Sequence, residues 1–373
     1  MTSHSTVASD SIPLWLLILL AVAWILPGLI GHEPWKPDEA YSFGLVYHIL
    51  QTGDWVVPTL AGEPFMEKPP LFYITAALFA KIFSAWLPLH DGARLAAGFY
   101  MAFTLLFTGL AARELYGHGR TAALALLACL GLAPWVHLLI TDTALLAGLA
   151  FGLYGFALGL RRPVLGGLCL GTGVGIAFLS KGLLGPGLLG LTALVLPALH
   201  RTWRTRTYLT SLAVAVTASL PWLLVWPMSL YLRSPELFGA WLWDNNFGRF
   251  FGTSGLGPKS ERFFYLRTLP WFAWPVWLLA LWGLWRIGRD GLRQPSVLLP
   301  LTALAVMLLA LMGASDARQV YALPLLLPLS LLSARAVDFL SGRTEMMFYA
   351  LGVTVTLIAL LLPWGIWISL IQG

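Results

Sequence analysis

Apolar stretches of about 20 residues recur from one end of this chain to the other. Each is long enough to cross the roughly 30 Å hydrocarbon core of a bilayer. Inside lipid the backbone must satisfy its own hydrogen bonds, so such stretches are expected to be helices. Hydrophobic residues make up 58% of the 373 and charged residues 11%, against roughly 45–50% and about 25% in soluble domains. The expectation is an all-α polytopic membrane protein forming one transmembrane domain over 1–373, with no separate soluble domain. Cys129 and Cys169 lie in apolar runs without metal-ligand or redox spacing and read as buried small hydrophobes. The stretch 12–31 reads as an uncleaved first span, since no basic n-region precedes it.

Further spans are expected near 94–112, 121–139, 144–160, 164–180, 183–199, 208–230, 264–286, 297–313, 319–334 and 346–369, about eleven in all. One more apolar stretch, Pro70–Leu89, would invert everything downstream if it crossed. Arginine placement decides against that. With Pro70–Leu89 left out, Arg113, Arg161, Arg162, Arg201, Arg204, Arg289 and Arg335 all fall on the inner side. Pro70–Leu89 is then a helix at the outer interface, and two long outer segments follow, 32–93 and 231–263. The net charge of +6 is an orientation signal and not a nucleic-acid footprint.

The first outer segment opens with Pro37-Asp38-Glu39. Phe43, Val46, Tyr47 and Leu50 then recur at helical spacing, as in a helix lying on a membrane surface. Asp38 is either the N-cap of that helix or a carboxylate held at the lipid–water boundary as a general base. Glu67-Lys68-Pro69-Pro70 leads into the interfacial helix; Lys68 either snorkels to headgroups or binds a lipid phosphate. Asp142, in Thr141-Asp142-Thr143, is expected on the same side as Asp38, as a cap or a site residue. Lys181 follows a glycine-rich run, Gly171-Thr172-Gly173-Val174-Gly175, but Ser180 stands where a nucleotide-binding loop needs glycine. Those glycines read as close helix packing. Asn246 and Arg249 lie among aromatics in the second outer segment; Asp316, Arg318 and Tyr321 sit at the mouth of the spans near 297–334. Ionisable groups gathered at one membrane face are costly and tend to mark function.

Trp35-Lys36-Pro37-Asp38-Glu39, Gly53-Asp54-Trp55-Val56-Val57-Pro58 and Glu67-Lys68-Pro69 resemble the aminoarabinose transferases that modify lipid A. They resemble, more distantly, the protein O-mannosyltransferases; both are GT-C membrane glycosyltransferases. The likeness runs on through Asp142, Ser180-Lys181-Gly182, Arg249-Phe250, Leu269-Pro270-Trp271 and Tyr321. It implies a GT-C fold and an inverting transfer of sugar from a polyprenyl phosphate such as undecaprenyl phosphate. The acceptor would lie on the periplasmic side of a bacterial inner membrane and be a lipid, a glycan or a protein. It implies a catalytic role for Asp38, a supporting one for Asp142 and donor-phosphate binding by Lys68; Glu39 is a further catalytic candidate beside Asp38. Lys181, Arg249 and Arg318 are further phosphate-binding candidates, and Tyr41, Glu67, Asn246 and Tyr321 are substrate-binding candidates. In the family the Glu of the Glu-Lys-Pro motif also shares a zinc with a histidine of the second long loop. Here no histidine follows His200 and Ala40-Tyr41-Ser42 replaces the arginine usual after Asp-Glu, so no resident metal is expected. A polyprenyl-lipid flippase and a non-catalytic membrane partner are the alternative classes.

Overall fold

The computed structural model describes residues 13–255, 258, 260–339, 354, 357, 358 and 361–369. In chain order the helices are α1 (Leu14–Ile25), α2 (Lys36–Thr52), α3 (Leu71–Phe83), α4 (Leu89–Tyr116), α5 (Arg120–Leu127), α6 (Asp142–Gly159), α7 (Pro163–Lys181), α8 (Leu184–Leu199) and α9 (Arg206–Arg233). Then come the short α10 (Pro235–Gly239), a π-helical stretch (Ala240–Gly248) and α11 (Arg249–Phe251). The chain continues through α12 (Phe264–Phe272), α13 (Val276–Leu292), α14 (Pro295–Gly313) and α15 (Leu323–Val337). A two-stranded hairpin, β1 (Thr59–Leu60) and β2 (Glu63–Pro64), turns the segment between α2 and α3 back on itself.

Among the described residues six helices are long and apolar enough to cross a bilayer: α4, α6, α7, α9, α14, and α15 with its preceding turn from Gln319. Six of the expected spans, near 94–112, 144–160, 164–180, 208–230, 297–313 and 319–334, correspond to these with shifts of a few residues. Others differ. The expected span 121–139 breaks after Leu127, because the chain turns so that the Leu130 amide donates to the Trp274 carbonyl at 3.1 Å. The expected span 264–286 is two helices meeting at Ala273–Pro275, where Pro275 has no amide to continue the first. α1 is 12 residues and α8 is 16, each shorter than the ~20 a crossing needs. Half of the span expected at 346–369 lies outside the described residues. Its described end, 361–369, is helical, and Trp364 Nε1 donates to the Ala23 carbonyl of α1 at 2.8 Å.

α3 has 13 residues, about 20 Å of helix, too short to span. It buries Phe72, Tyr73, Ala76, Ala77 and Ala80 while Leu78 and Ile82 stay exposed, as does Trp86 just beyond its end. That is the two-sided character of an interfacial helix. α2 is a helix where the sequence implied one, but its inner face is turned by one position. Ser42, Leu45 and Val46 are buried, while Tyr47 is exposed.

The centre of the bundle is α6, nearly all of whose residues are buried. It packs on α7 without side chains in the way: a Cβ at Gly148 would lie 2.5 Å from the Ala177 nitrogen. The other face of α7 presents Gly167, Gly171 and Gly175 to Ser211, Ala215 and Trp222 of α9. The glycine run is therefore a helix-packing device. The helices also share a polarity. α6 starts at Asp142 and ends beside Arg161; α7 ends at Lys181; α8 ends beside Arg201 and Arg204; α14 starts beyond Arg293 and ends near Ser315. One pole of the bundle thus gathers Asp142, Lys181 and Asp316, and the opposite pole gathers arginines.

Candidate active site

Each element delivers one side chain to the first pole for a local reason. α2 starts with Pro37 in its first turn, where the missing amide costs nothing, and that turn presents Asp38. Gly53 closes α2 in the left-handed conformation. Asp54 then caps the turn that follows, Oδ1 accepting from the Val56 and Val57 amides at 3.0 and 3.3 Å. Arg233 at the end of α9 holds the other Asp54 oxygen at 2.7 Å, and Trp226 Nε1 donates to the Val56 carbonyl. The hairpin anchored this way returns the chain to Glu67 and Lys68. Gly182 ends α7 with φ 69°, a conformation that favours glycine. The Leu183 amide just beyond donates to Asn246 Oδ1 at 2.9 Å, while Asn246 Nδ2 donates to the Trp241 carbonyl at 2.7 Å. That clamp ties the π-helical stretch, and Arg249 after it, to the end of α7.

These groups enclose a cavity of about 110 Å³ lined by Asp38, Tyr41, Ser42, Phe65, Glu67, Lys68, Tyr73, Asp142, Lys181, Arg249, Arg318 and Tyr321, with Trp135, Leu138, Ile140 and Val320. An apolar groove of about 330 Å³ lies alongside, walled by Leu184, Leu188, Leu191, Phe250 and Leu311. Lys68, Lys181, Arg249 and Tyr321 line both, so the cations stand where a polar head would meet an apolar tail.

The charges divide into two sets. Asp142 Oδ1 accepts from Lys181 Nζ at 2.5 Å, and that ammonium also lies 4.7 Å from the centre of the Tyr321 ring. Arg249 donates Nε to Asp316 at 2.9 Å, Nη1 to Glu67 at 3.5 Å and Nη2 to the Tyr321 hydroxyl at 3.3 Å. Burial alone would lower the Arg249 pKa, but Tyr321, Asp316 and Glu67 together raise it above its ordinary value, so the guanidinium stays charged. Asp38, Lys68 and Arg318, by contrast, have no ion pair among the described residues, and the Arg318 Nε is buried with no hydrogen-bond partner there.

Of the residues expected from the sequence, ten line the cavity or the groove. Glu39 does not. Its carboxylate is fully buried and committed to Arg94 Nε at 2.9 Å and to the amides of Leu139 and Trp35, both at 2.8 Å. Glu39 thus stands apart from the cavity that its neighbour Asp38 lines. The cap reading was attached to the wrong neighbour: Asp38 makes no side-chain cap bond, and the bond back to the start of α2 is made by Glu39. Asn246 borders the groove, but both ends of its amide are spent on backbone groups.

Tyr73 and Ser42 were not anticipated. Both line the cavity, and the pKa of the Tyr73 phenol is pushed well up by burial and then by Glu67, Asp142 and Asp38. Tyr73 is thus a permanent hydrogen-bond donor facing three carboxylates. The one available signal was its place on the buried stripe of α3 with Ala76, Ala77 and Ala80.

A metal through Glu67 does not fit these residues. Its carboxylate faces the Arg249 guanidinium, and among the described residues no group of three His, Cys, Asp or Glu side chains is placed to hold an ion.

No family model matches the chain. It is 30% identical over 342 residues to a Pseudomonas aeruginosa (strain UCBPP-PA14) protein named undecaprenyl phosphate-alpha-4-amino-4-deoxy-L-arabinose arabinosyl transferase, covering 87% of this chain and 59% of that one. A protein of the same name from Pseudomonas fluorescens (strain Pf0-1) is 30% identical over 377 residues, 92% of this chain and 62% of its own. The chain thus spans about three fifths of the length of the curated relatives it matches. Among solved structures, ArnT from Cupriavidus metallidurans bound to undecaprenyl phosphate aligns with a TM-score of 0.76 at 22% identity, over 89% of this chain and 61% of that one. An archaeal oligosaccharyltransferase, AglB from Archaeoglobus fulgidus, aligns with a TM-score of 0.58 at 14% identity, over 95% of this chain and 55% of that one.

Proposed function

We propose that this chain, which has the GT-C fold of the aminoarabinose transferases, is an inverting glycosyltransferase that takes its sugar from a polyprenyl phosphate. The single observation that carries this reading is the cavity itself. A carboxylate with no ion pair among the described residues, Asp38, shares it with cations that border an apolar groove. The groove suits a polyprenyl chain, and Lys68, Arg249 and Arg318 suit its phosphate. As the glycosidic bond to the phosphate breaks, negative charge grows on the phosphate oxygens, and fixed cations lower the barrier to that change. Asp38 would take the proton of the attacking acceptor group, on the face of the sugar away from the phosphate. The attack from that face inverts the anomeric carbon. Tyr73, held neutral, supplies a donor to a sugar or acceptor oxygen. The Asp142–Lys181 pair shapes the floor of the cavity.

On this reading the Asp38 pole faces the periplasm of a bacterial inner membrane and the arginine pole faces the cytoplasm, as positive charge on the inner side requires. The acceptor would reach Asp38 from the aqueous side. The relatives' donor, undecaprenyl phosphate carrying 4-amino-4-deoxy-L-arabinose, is the first substrate to offer. Purified protein should release undecaprenyl phosphate from it, and more quickly with lipid A present. Donor left intact under every acceptor tried, with undecaprenyl phosphate nonetheless bound, would favour a lipid carrier over a transferase.

A further inference from the structure

We propose that Glu39 and Arg94 form a buried brace that sets the spacing of Asp38 and Asp142, and are positioning residues for the transfer. The inference rests on the functional reading above.

Both side chains are fully buried. Arg94, on α4, uses every edge of its guanidinium. Nε donates to Glu39 at 2.9 Å, Nη1 to Asp91 at 2.8 Å and to the Leu29 carbonyl at 3.3 Å, and Nη2 to the His32 carbonyl at 3.2 Å. Asp91 in turn accepts from the Gly31 amide at 2.8 Å. The turn that leads into α2 is therefore bound to α4 at several points. Glu39 extends the same network in the other direction. Its Oε1, already bonded to Arg94, also accepts from the Leu139 amide at 2.8 Å.

That last bond is the informative one. Leu139 lies three residues before Asp142, in a stretch of turns with no regular helix to fix it. Asp38 immediately precedes Glu39 on α2. One carboxylate thus holds the backbone on the approach to Asp142 and the helix turn that carries Asp38. Successive helical residues point about 100° apart, so fixing Glu39 toward α4 leaves Asp38 directed to the cavity. Stability alone is a poor account of such a brace, because replacing a buried ion pair with apolar residues is often neutral or stabilising. Geometry is the better account: a displacement of about 1 Å at a reacting group costs on the order of 10²-fold in rate.

The test uses full-length protein in lipid nanodiscs and the variants Glu39→Gln and Glu39→Asp. The aspartate keeps the charge beside Arg94 but shortens the reach to the Leu139 amide, so it serves if the glutamine variant does not fold. With undecaprenyl-phosphate-linked 4-amino-4-deoxy-L-arabinose as probe, kcat should fall about 10²-fold while donor KM stays within about twofold. Amide exchange should rise in two separate stretches at once, 28–38 and 134–141. A kcat within threefold of wild type in a folded variant overturns the proposal, as does faster exchange confined to α2. A wild-type protein that leaves the probe untouched counts against the functional reading; the exchange measurement then decides the brace without it.

Discussion

The two sides of the cavity treat charge in opposite ways. The helix ends at Asp142, Lys181, Arg249 and Asp316 hold their charges against one another, at 2.5 Å for Lys181 with Asp142 and 2.9 Å for Arg249 with Asp316. The entry segment from α2 to α3 presents Asp38 and Lys68 with no ion pair among the described residues, although its Glu67 reaches across to Arg249 at 3.5 Å and Arg318 on the far side is likewise unpaired there. A group already bonded to a neighbour must give up that bond to serve a substrate; a free one need not. The difference assigns shape and electrostatic background to the paired side, and contact with the reacting atoms to the free side.

Breaking a pair should give the largest effect on stability. Asp142→Asn leaves the Lys181 ammonium buried without its counter-charge, which costs on the order of 3–5 kcal/mol. Thermal unfolding of the detergent-solubilised protein should show it, and Asp142→Asn with Lys181→Met should recover part of the loss. Equal unfolding temperatures for the single variant and the wild type would erase the distinction between the two sides.

Removing a free charge should spare stability and harm binding. Lys68→Ala loses one charge-assisted contact with phosphate, about 1.5–3 kcal/mol, which is about 10- to 100-fold in affinity. Titration with undecaprenyl phosphate measures this, with the unfolding temperature expected within a degree or two of wild type. A large fall in that temperature would place Lys68 among the structural charges.

The smallest expected effect is none. Because Glu67 faces Arg249 where the family resemblance implied a metal, a chelator should leave donor turnover unchanged. Stoichiometric zinc that is lost with Glu67→Gln would contradict this.

How much of this was legible in the sequence differs from element to element. α6, α7, α9 and α14 were readable because long apolar runs bounded by charge leave little choice in a bilayer. That α3 is not a span followed from arginines far from it, and its 13 residues are indeed too few to cross. The break after Leu127 was not readable, since what stops that helix is the Trp274 carbonyl, contributed from far along the chain. The site was half legible. Asp38, Lys68, Asp142 and Arg249 stood out as charges in apolar surroundings. Tyr73 did not, because a tyrosine on a half-buried helix is ordinary until three carboxylates are seen around it. Glu39 was misread because adjacent acidic residues look alike in a sequence, although one faces the cavity and the other is enclosed by Arg94 and two amides.

The most direct measurement is made on Asp38→Asn, comparing donor turnover with binding of undecaprenyl phosphate in the same preparation. The substitution keeps the shape of the side chain and removes its ability to take a proton. Turnover should fall by about 10²–10⁴, with binding and unfolding temperature near those of wild type. Near-normal turnover by Asp38→Asn would contradict the account, since no other carboxylate lining the cavity is without an ion pair among the described residues.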